Sequence, residues 1–362
     1  MRLSKLIDRF DELGIDAMLV TDETNVRYLT EFTGDSTYLW VTPTRQTLLS
    51  DGRFETQIRD QCGHLKTLDV AIRPPSVKMH ELVQQVLRSA GGNPRIGFEA
   101  DHVTVATRLS WEAVDGVQWK SCSGVVESLR QIKDPGEIEC IRRAINVAER
   151  AFLSFGLSDG SIDFDGTERE LAFALEAEMR RLGASGASFD IIVAVDAAAA
   201  LPHYQPANVP VRGAKTLLVD WGAMVDGYAS DLTRTLHGTE PADEFVSVRA
   251  AVHRAHDAAV AAVHSGAIVA DVDAAARKVL AEHDLAEFFV HSTGHGFGLA
   301  VHEAPRIAAG QRTELRAGMM VTIEPGVYLP DRFGIRLEND VLVTDGGSEV
   351  MSTTLPMSPF AP

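Results

Sequence analysis

The sequence of 362 residues has little cysteine, no long apolar run and no excess of basic residues. Its three cysteines, Cys62, Cys122 and Cys140, are far apart, which argues against a disulfide framework or a cysteine metal cluster and for reduced, buried thiols. No stretch reaches the ~18 apolar residues of a membrane helix, so we expect no membrane partner. The net charge of −17 argues against nucleic acid as a partner, because phosphate binding requires basic patches.

The first twenty residues also lack the apolar core of a signal peptide. Leu3, Leu6 and Phe10 recur at helical spacing, and charged residues fill the other face. This pattern is typical of an amphipathic helix and not of a targeting segment. We therefore predict a cytoplasmic protein.

The length favours two domains. Residues 1–128 alternate strand-like and helix-like runs, which predicts an α/β domain, and they contain no cluster of catalytic residue types. Residues 129–362 are predicted to be α+β, with helix-capping signatures at Asp134 and Thr167 near their start. The main predicted strands are 17–20, 38–41, 47–50, 95–99 and 189–195, and the main predicted helices are 78–90, 103–114, 242–264 and 272–283.

A first hairpin is predicted around Asp226-Gly227, which is a strong turn signal. If the turn is centred between Val225 and Asp226, Asp220 lies directly opposite Asp231 on one face of the sheet. Two carboxylates held in this way repel each other. The hairpin therefore indicates a cation between them.

A second hairpin is predicted from two strand-like runs, 321–326 and 334–340. Centred on Asp331, it pairs Glu324 with Glu338, unless a bulge shifts the register. Both glutamates lie among Val, Ile and Leu residues, where an unpaired carboxylate is costly.

Each of these acids alone also fits a solvated position. We prefer that interpretation for Asp226, which is a turn former, and for Asp340, which we expect to face solvent. Two pairs of acids, each within strands rich in β-branched residues, are harder to explain as solvated positions.

The segment between the hairpins combines histidine with glycine. It contains His291, Gly294, His295, Gly296, Gly298 and His302. Glycine permits close approach of the backbone, so His295 can reach a crowded site. Four carboxylates and one imidazole form an oxygen-rich site for two divalent cations, first Mn²⁺, with Fe²⁺, Co²⁺ or Zn²⁺ as alternatives. Two such ions can activate a water and stabilise a tetrahedral transition state, which is the chemistry of hydrolysis.

These motifs resemble those of the pita-bread metallopeptidases, the family of aminopeptidase P, prolidase and methionine aminopeptidase. The resemblance implies five metal ligands: Asp220, Asp231, His295 in Gly-His-Gly, Glu324 in Ile-Glu-Pro-Gly, and Glu338 in Arg-Leu-Glu-Asn. Two departures from the family pattern are Asn339, where an acid is more usual, and Trp221, where a smaller apolar residue is common. Neither removes a ligand.

The resemblance is strongest to the proline-specific branch and extends over essentially the whole chain. His203, His291 and His302 match its additional active-site histidines, and residues 25–30 and 50–54 resemble its non-catalytic domain. The implied fold is an α/β N-terminal domain of the creatinase type followed by an α+β pita-bread catalytic domain. A homodimer is also implied.

The function implied by the resemblance is that of an aminopeptidase that releases the N-terminal residue from peptides with proline in the second position. A prolidase, which accepts only Xaa-Pro dipeptides, is the alternative within this branch. A creatinase-like amidinohydrolase and a non-enzymatic binding module, like the histone-chaperone relatives, share the fold but lack the ligand set.

The resemblance also implies roles for individual residues. Glu324 is expected to act as the general base. We expect His302 to donate to the developing oxyanion and His203 to lie near the same carbonyl or the proline. His291 is expected to line the pocket. Arg336 is expected near the proline or its carboxylate, with an ion pair that supports the glutamates as the alternative.

Four further residues were assigned from their positions in the sequence. Thr233 is expected to hydrogen-bond a ligand carboxylate, and Arg234 to be structural. Tyr38 and Trp40 of the first domain are candidates for closing the proline slot.

Overall fold

The computed structural model describes residues 2–355, which divide into two compact units between Arg130 and Gln131. The helices of the first unit are α1 Arg2–Ile7, α2 Phe10–Leu13, α3 Glu23–Thr30, α4 Glu55–Cys62, α5 Met79–Ala90, α6 Val105–Ser110 and α7 Val125–Arg130. Its strands are β1 Ala17–Val20, β2 Tyr38–Val41, β3 Gln46–Asp51, β4 Leu68–Arg73, β5 Arg95–Glu99 and β6 Gln118–Cys122.

The six strands of the first unit form one sheet in the order β4-β3-β2-β1-β5-β6. Strand β2 is antiparallel to both of its neighbours, and the other neighbouring pairs are parallel. Strands β2, β3 and β4 therefore follow one another on one side of β1, and β5 and β6 follow on the other side.

The predicted strands of this sheet are confirmed, three of them with the predicted bounds. The two edge strands, β4 and β6, were not predicted because most of their side chains are exposed or half-buried and give no apolar run. Trp40 is only 5% exposed and packs in the core of this unit, so its predicted role at a proline slot is wrong.

The second unit contains four long helices and two short 3₁₀ turns among its described residues. The helices are α8 Pro135–Leu153, α9 Glu168–Arg181, α10 Asp243–Ala262 and α11 Val269–Ala281, and the 3₁₀ turns are Asp196–Ala200 and Ala286–Phe288. The strands are β7 Gly186–Ala187, β8 Ile192–Val195, β9 Thr216–Trp221, β10 Ala223–Val225, β11 Tyr228–Ala229, β12 Leu232–His237, β13 Gly294–Gly296, β14 Glu303–Ile307, β15 Met320–Ile323, β16 Gly326–Leu329, β17 Phe333–Arg336, β18 Asn339–Thr344 and β19 Gly347–Val350.

The strands of the second unit form small sheets covered by helices. Helices α10 and α11 pack on the sheet β14-β13-β15-β18-β19, and α8 and α9 pack on β12-β9-β8. The unusual Trp221 is accommodated by α8, where its ring stacks on Phe152 at 4.4 Å between centroids and its Nε1 donates to the Ala148 carbonyl. The predicted capping boxes at Asp134 and Thr167 begin α8 and α9. Along residues 2–355, no helix combines the length and apolar character needed to span a bilayer.

Candidate metal centre

The first hairpin carries both aspartates, but in a different register from the one predicted. Val225 pairs with Tyr228, and Asp220 pairs with Thr233, so the turn is centred one residue later than expected. The prediction that Asp231 lies directly opposite Asp220 is therefore wrong. Asp231 lies two residues before Thr233, in the break between β11 and β12, and so faces the same side of the sheet diagonally from Asp220.

The second hairpin has the predicted register. The pairs of β15 with β18 and of β16 with β17 both centre on Asp331. Glu324 lies in the break between β15 and β16, and Glu338 lies in the break between β17 and β18. Because the register is the same on both sides of the breaks, the two glutamates lie across from each other.

Thr233 connects the two hairpins. Its carbonyl accepts a hydrogen bond from the Glu338 amide at 3.2 Å, and its hydroxyl donates to Glu338 Oε2 at 2.6 Å. The predicted contact with a carboxylate is confirmed. The buried Arg234 donates to the carbonyls of Thr233, Glu338 and Leu355, which is the structural role expected of it.

His295 reaches the site through a close backbone approach at Gly294. A Cβ atom on Gly294 would lie 1.9 Å from the Thr322 carbonyl oxygen, so a side chain there would separate the strands. The Thr322 hydroxyl accepts from the His295 amide. The His295 Nδ1 lies 3.0 Å from the Gly296 carbonyl, which accepts only if Nδ1 carries the proton.

The structure brings the predicted ligands together. Donor atoms of Asp231, His295 and Glu338 all lie within 4.8 Å of one another. The Nε2 atom of His295 is 3.6 Å from Asp231 Oδ2 and 3.4 Å from Glu324 Oε1. The fifth residue, Asp220, is buried, and its charge acts on Asp231, Glu324 and Glu338.

Burial and mutual repulsion perturb these carboxyl groups strongly. Burial, reinforced by the charges of neighbouring carboxylates, holds the pKa values of Asp231 and Glu338 well above their usual range. Burial raises the pKa of Glu324 to about 7, against the attraction of a neighbouring guanidinium. The pKa of His295 is lowered by burial, so its imidazole is neutral.

These groups fit divalent cations. With Nδ1 protonated, Nε2 of neutral His295 points a lone pair at two carboxylates, an arrangement that needs a cation rather than a proton. In residues 2–355, the buried Oδ1 of Asp220 has no hydrogen-bond partner. A buried acceptor without a donor is typical of a site that binds a cation. Several carboxylates around one imidazole are typical of an oxygen-rich metal site.

Arg336 and Tyr328 form a chain of hydrogen bonds beside the site. The Arg336 guanidinium pairs with Asp220, and its charge also favours the ionised forms of Glu324 and Glu338. Its Nη1 donates to the Tyr328 hydroxyl at 2.7 Å, and that hydroxyl lies 2.8 Å from His291 Nε2. Burial raises the pKa of Tyr328 to about 12 and lowers that of His291 to about 4, so a neutral Tyr328 donates to a neutral His291. Sequence reasoning missed Tyr328.

The two remaining predicted histidines, His302 and His203, lie near His295 and His291. The ring of His302 is 4.5 Å from that of His295 between centroids, and burial lowers the pKa of His302. His203 is exposed, and its charge acts on both His302 and His291.

Asp340 supports the site through the backbone of Asp231. It is fully buried and accepts a hydrogen bond from the Asp231 amide, so the expectation that it faces solvent is wrong. Asn339, one of the departures from the family pattern, donates to the carbonyl and hydroxyl of Ser352. Asp226 occupies the exposed turn, as expected, with a φ of 49°.

Comparison with known proteins gives matches over both units. The sequence matches metallopeptidase family M24 over residues 139–345 and the creatinase/prolidase N-terminal domain over residues 2–132. It is 30% identical over 359 residues to the Xaa-Pro dipeptidase of Pyrococcus furiosus, covering 98% of both chains. A solved Xaa-Pro dipeptidase from Bacillus anthracis superposes with a TM-score of 0.91 at 33% identity, over 99% of this chain and 98% of that one. A solved X-Pro aminopeptidase from Thermotoga maritima gives a TM-score of 0.87 at 31% identity, over 99% of each chain.

Proposed function

The chain belongs to metallopeptidase family M24, and from this membership we propose that it is a dinuclear-metal hydrolase of Xaa-Pro bonds, specifically an Xaa-Pro dipeptidase. The predicted fold, a creatinase-type α/β domain followed by an α+β pita-bread domain, is confirmed. One observation carries the proposal: the carboxylates of the buried Asp231 and Glu338 and of the half-buried Glu324 surround Nε2 of His295.

The dipeptidase is preferred to the aminopeptidase that the sequence first suggested. The relatives from Pyrococcus furiosus and Bacillus anthracis are both named Xaa-Pro dipeptidase, which favours the dipeptidase alternative. An aminopeptidase is the second candidate, because the Thermotoga maritima structure carries that name and aligns over 99% of this chain.

The proposed metal ligands are Asp220, Asp231, His295, Glu324 and Glu338. Mn²⁺ is the first candidate because the donor set is rich in carboxylate, and Co²⁺, Zn²⁺ and Fe²⁺ are the others. When bound, two such ions would polarise the scissile carbonyl and lower the pKa of a water.

The residues of the chain supply the remaining steps. Glu324 is the proposed base that takes up and returns a proton, since its pKa lies near neutrality. His302 donates to the developing negative charge, with His203 near the same carbonyl, and His291 lines the substrate pocket. Arg336 holds Asp220 through its guanidinium, and its proposed place near the proline or its carboxylate stays a prediction. A proline substrate suits the site because its tertiary amide has no N–H that needs an acceptor.

A peptide panel with defined metals tests the proposal. Protein stripped of metal and reloaded with Mn²⁺, Co²⁺ or Zn²⁺ is assayed on the peptides Ala-Pro, Ala-Pro-Ala and, as control, Ala-Ala. We expect rapid cleavage of Ala-Pro, much slower cleavage of the other two, and loss of all cleavage on chelation. Comparable turnover of Ala-Pro-Ala would favour the aminopeptidase. No hydrolysis of any peptide with any metal would refute both enzymes.

Glu338→Ala tests the ligand assignment directly. It should remove one or both metal ions, measured by mass spectrometry, and lower hydrolysis by more than the roughly 100-fold that the loss of a ligand's outer partner can cost. The control is Glu349→Ala, because Glu349 forms an exposed ion pair with Arg142. Wild-type turnover in Glu338→Ala, with native circular dichroism in both variants, contradicts the assignment.

Three features stay predictions: a homodimer, a cytoplasmic location, and a non-catalytic domain over residues 1–128 beside a catalytic domain over 129–362. Light scattering of the purified protein tests the first. Assays of each domain expressed separately test the last.

A further inference from the structure

His203 lies in a tight turn of the second unit. The turn consists of residues 201–204, and the Tyr204 amide donates to the Leu201 carbonyl at 3.1 Å to close it. Proline is favoured at the second position of such a turn because its ring already fixes φ at the required value. Pro202 takes this position, and His203 follows it with an exposed side chain.

The turn adjoins the candidate metal centre. The Pro202 carbonyl lies 3.5 Å from Nη1 of Arg336, whose guanidinium pairs with Asp220. The charge of His203 acts on Glu324. Because the His203 side chain is exposed, its position depends on the backbone of the turn and not on packing in a core.

The residue directly after His203 is attached to a buried carboxylate. Oε2 of Glu168 accepts from the Tyr204 hydroxyl and from the Ala207 amide, each at 2.9 Å, and its Oε1 accepts from the Val195 amide at 2.9 Å. Burial and this carboxylate raise the pKa of Tyr204, so its hydroxyl keeps its proton and donates. Glu168 therefore binds the chain on both sides of His203, at Val195 before it and at Tyr204 and Ala207 after it.

Helix α9, which begins with Glu168, does not explain why this acid is buried. The capping box at the start of the helix uses Thr167 and Glu170. An acid near a helix N-terminus is favourable on the surface as well. Burying a carboxylate is costly unless donors surround it, and the chain from Val195 to Ala207 supplies three. The burial of Glu168, which is 0% exposed, is therefore explained by the segment that it holds.

We propose that Glu168 and Tyr204 are positioning residues for His203. They hold the turn so that the imidazole keeps its place beside the candidate metal centre, and they act through His203 and not on the substrate itself. This inference rests on the proposed peptidase function, in which His203 lies near the scissile carbonyl or the proline. A displacement of about 1 Å in such a group can lower a rate by up to roughly 100-fold.

Tyr204→Phe tests the proposal because it removes the hydroxyl and keeps the ring. With the full-length, metal-loaded protein and Ala-Pro as substrate, we expect kcat/KM to fall by about tenfold with unchanged metal content. Glu168→Gln should lower it at least as much, because an amide has one oxygen for donors that approach from two sides. Tyr28→Phe is the matched control, since its hydroxyl donates to the Leu129 carbonyl in the first unit.

A double-mutant cycle with His203→Ala separates positioning from a general loss of structure. If Tyr204 acts through His203, Tyr204→Phe should change kcat/KM by less than about twofold once His203 is alanine. A hydroxyl that only stabilises the fold would cost the same factor in both backgrounds.

A second measurement does not need turnover. The histidine rings are labelled with ¹³C, and the His203 signal in the nuclear magnetic resonance spectrum is assigned by its loss in His203→Ala. We expect this signal to move or broaden in both Glu168→Gln and Tyr204→Phe and to stay unchanged in Tyr28→Phe. If the wild type cleaves no peptide, the proposed function fails, and this signal still tests whether Glu168 and Tyr204 hold His203.

A loss of kcat/KM that disappears in the His203→Ala background, together with the moved His203 signal, supports the proposal. It is overturned if Tyr204→Phe cleaves Ala-Pro like the wild type, if its effect persists in full without His203, if the variant loses metal, or if the His203 signal stays in place in both variants.

Discussion

The hydroxyl of Thr233 makes two contacts that orient proposed metal ligands. It donates to Glu338 Oε2 at 2.6 Å and accepts from Arg336 Nε at 3.1 Å, while Arg336 in turn pairs with Asp220. One small side chain therefore orients one ligand directly and a second through a guanidinium. Contacts of this kind keep a carboxylate aimed at its ion.

Removing this hydroxyl should weaken metal binding. We expect Thr233→Val, which keeps the shape of the side chain, to lower metal affinity by roughly 10- to 100-fold. Thr233→Ser retains the hydroxyl and should bind metal nearly as well as the wild type. Competition with a chelating dye measures both affinities, and equal values for the two variants would contradict this role.

Asp340 and Tyr328 support the site, and the sequence analysis identified neither role. Only the burial of Asp340 has a signal in the sequence. Asp340 lies two residues after Glu338, and residues two apart share one face of a strand, so its burial follows from the predicted second hairpin. Tyr328 gave no such signal. Its partners His291 and Arg336 come from different segments, and only the folded chain brings them to its hydroxyl.

At the scale of elements, the two hairpins show which registers a sequence determines. The first turn is a two-residue loop in which Asp226 and Gly227 both have positive φ, at 49° and 78°. Such a loop is centred between these two residues, so the Asp-Gly pair itself marked the register that we placed one residue too early. The second turn has Asp331 at its centre, and its register was predicted correctly.

Gly294 lets the strand that carries His295 approach β15. In Gly294→Ala, the new methyl group would meet the Thr322 carbonyl oxygen at 1.9 Å, so we expect the protein to lose about 3 kcal/mol of unfolding free energy. Urea unfolding of the metal-free protein measures this loss. Gly346→Ala is the control, since a Cβ there meets no atom within 4 Å. Equal destabilisation of the two variants would refute the close approach as the cause.

Arg277 joins α11 to the loop that carries His291. It pairs with Asp273 and donates to the carbonyls of Phe289, at 3.0 Å, and His291, at 2.5 Å. The loop is also tied to Asp273 through the Thr293 hydroxyl. Helix α11 therefore sets the position of His291 from outside the metal site.

We expect Arg277→Met to lower kcat/KM on Xaa-Pro peptides by about tenfold, because His291 shifts while the ligands stay in place. Its metal content should equal that of the wild type, which separates this effect from loss of the site. Arg254→Met, at an exposed arginine of α10, is the control. Unchanged kinetics in Arg277→Met, or a loss of bound metal, would each contradict this role.

For the whole molecule, stability should depend on metal and pH together. Without metal, burial raises the pKa of Glu324 to about 7, and burial and neighbouring carboxylates hold the pKa values of Asp231 and Glu338 well above their usual range. The folded protein then binds protons more tightly than the unfolded chain. This contribution to stability is complete below about pH 4 and is lost as the pH rises through 7 and above. Bound cations would take the place of these protons at the three carboxylates.

Metal removal should consequently lower Tm more at pH 8 than at pH 6. Thermal unfolding of metal-loaded and metal-free protein at both pH values measures the difference. Glu324→Gln removes one titrating group, so the Tm of the metal-free variant should change less between pH 6 and pH 8 than that of the metal-free wild type. A Tm loss that is the same at both pH values would rule out proton release as its source.

Most of the residues that gather at the candidate metal centre were visible in the sequence, because turn signals and strand periodicity are local. What the sequence could not give is the support for the site. Thr233 and Glu338 are 105 positions apart, and their contact depends on how two hairpins pack. The edge strands of the first sheet were missed for a different reason, since exposed edges lack an apolar pattern.

The 105 positions that separate Thr233 from Glu338 also have a consequence during translation. At about 5–20 residues per second, a ribosome adds Glu338 roughly 5–20 s after it has added Thr233. For that interval the nascent chain carries Asp220 and Asp231 without the glutamates that complete their site. The proposed centre therefore becomes complete only after the second hairpin has been synthesised.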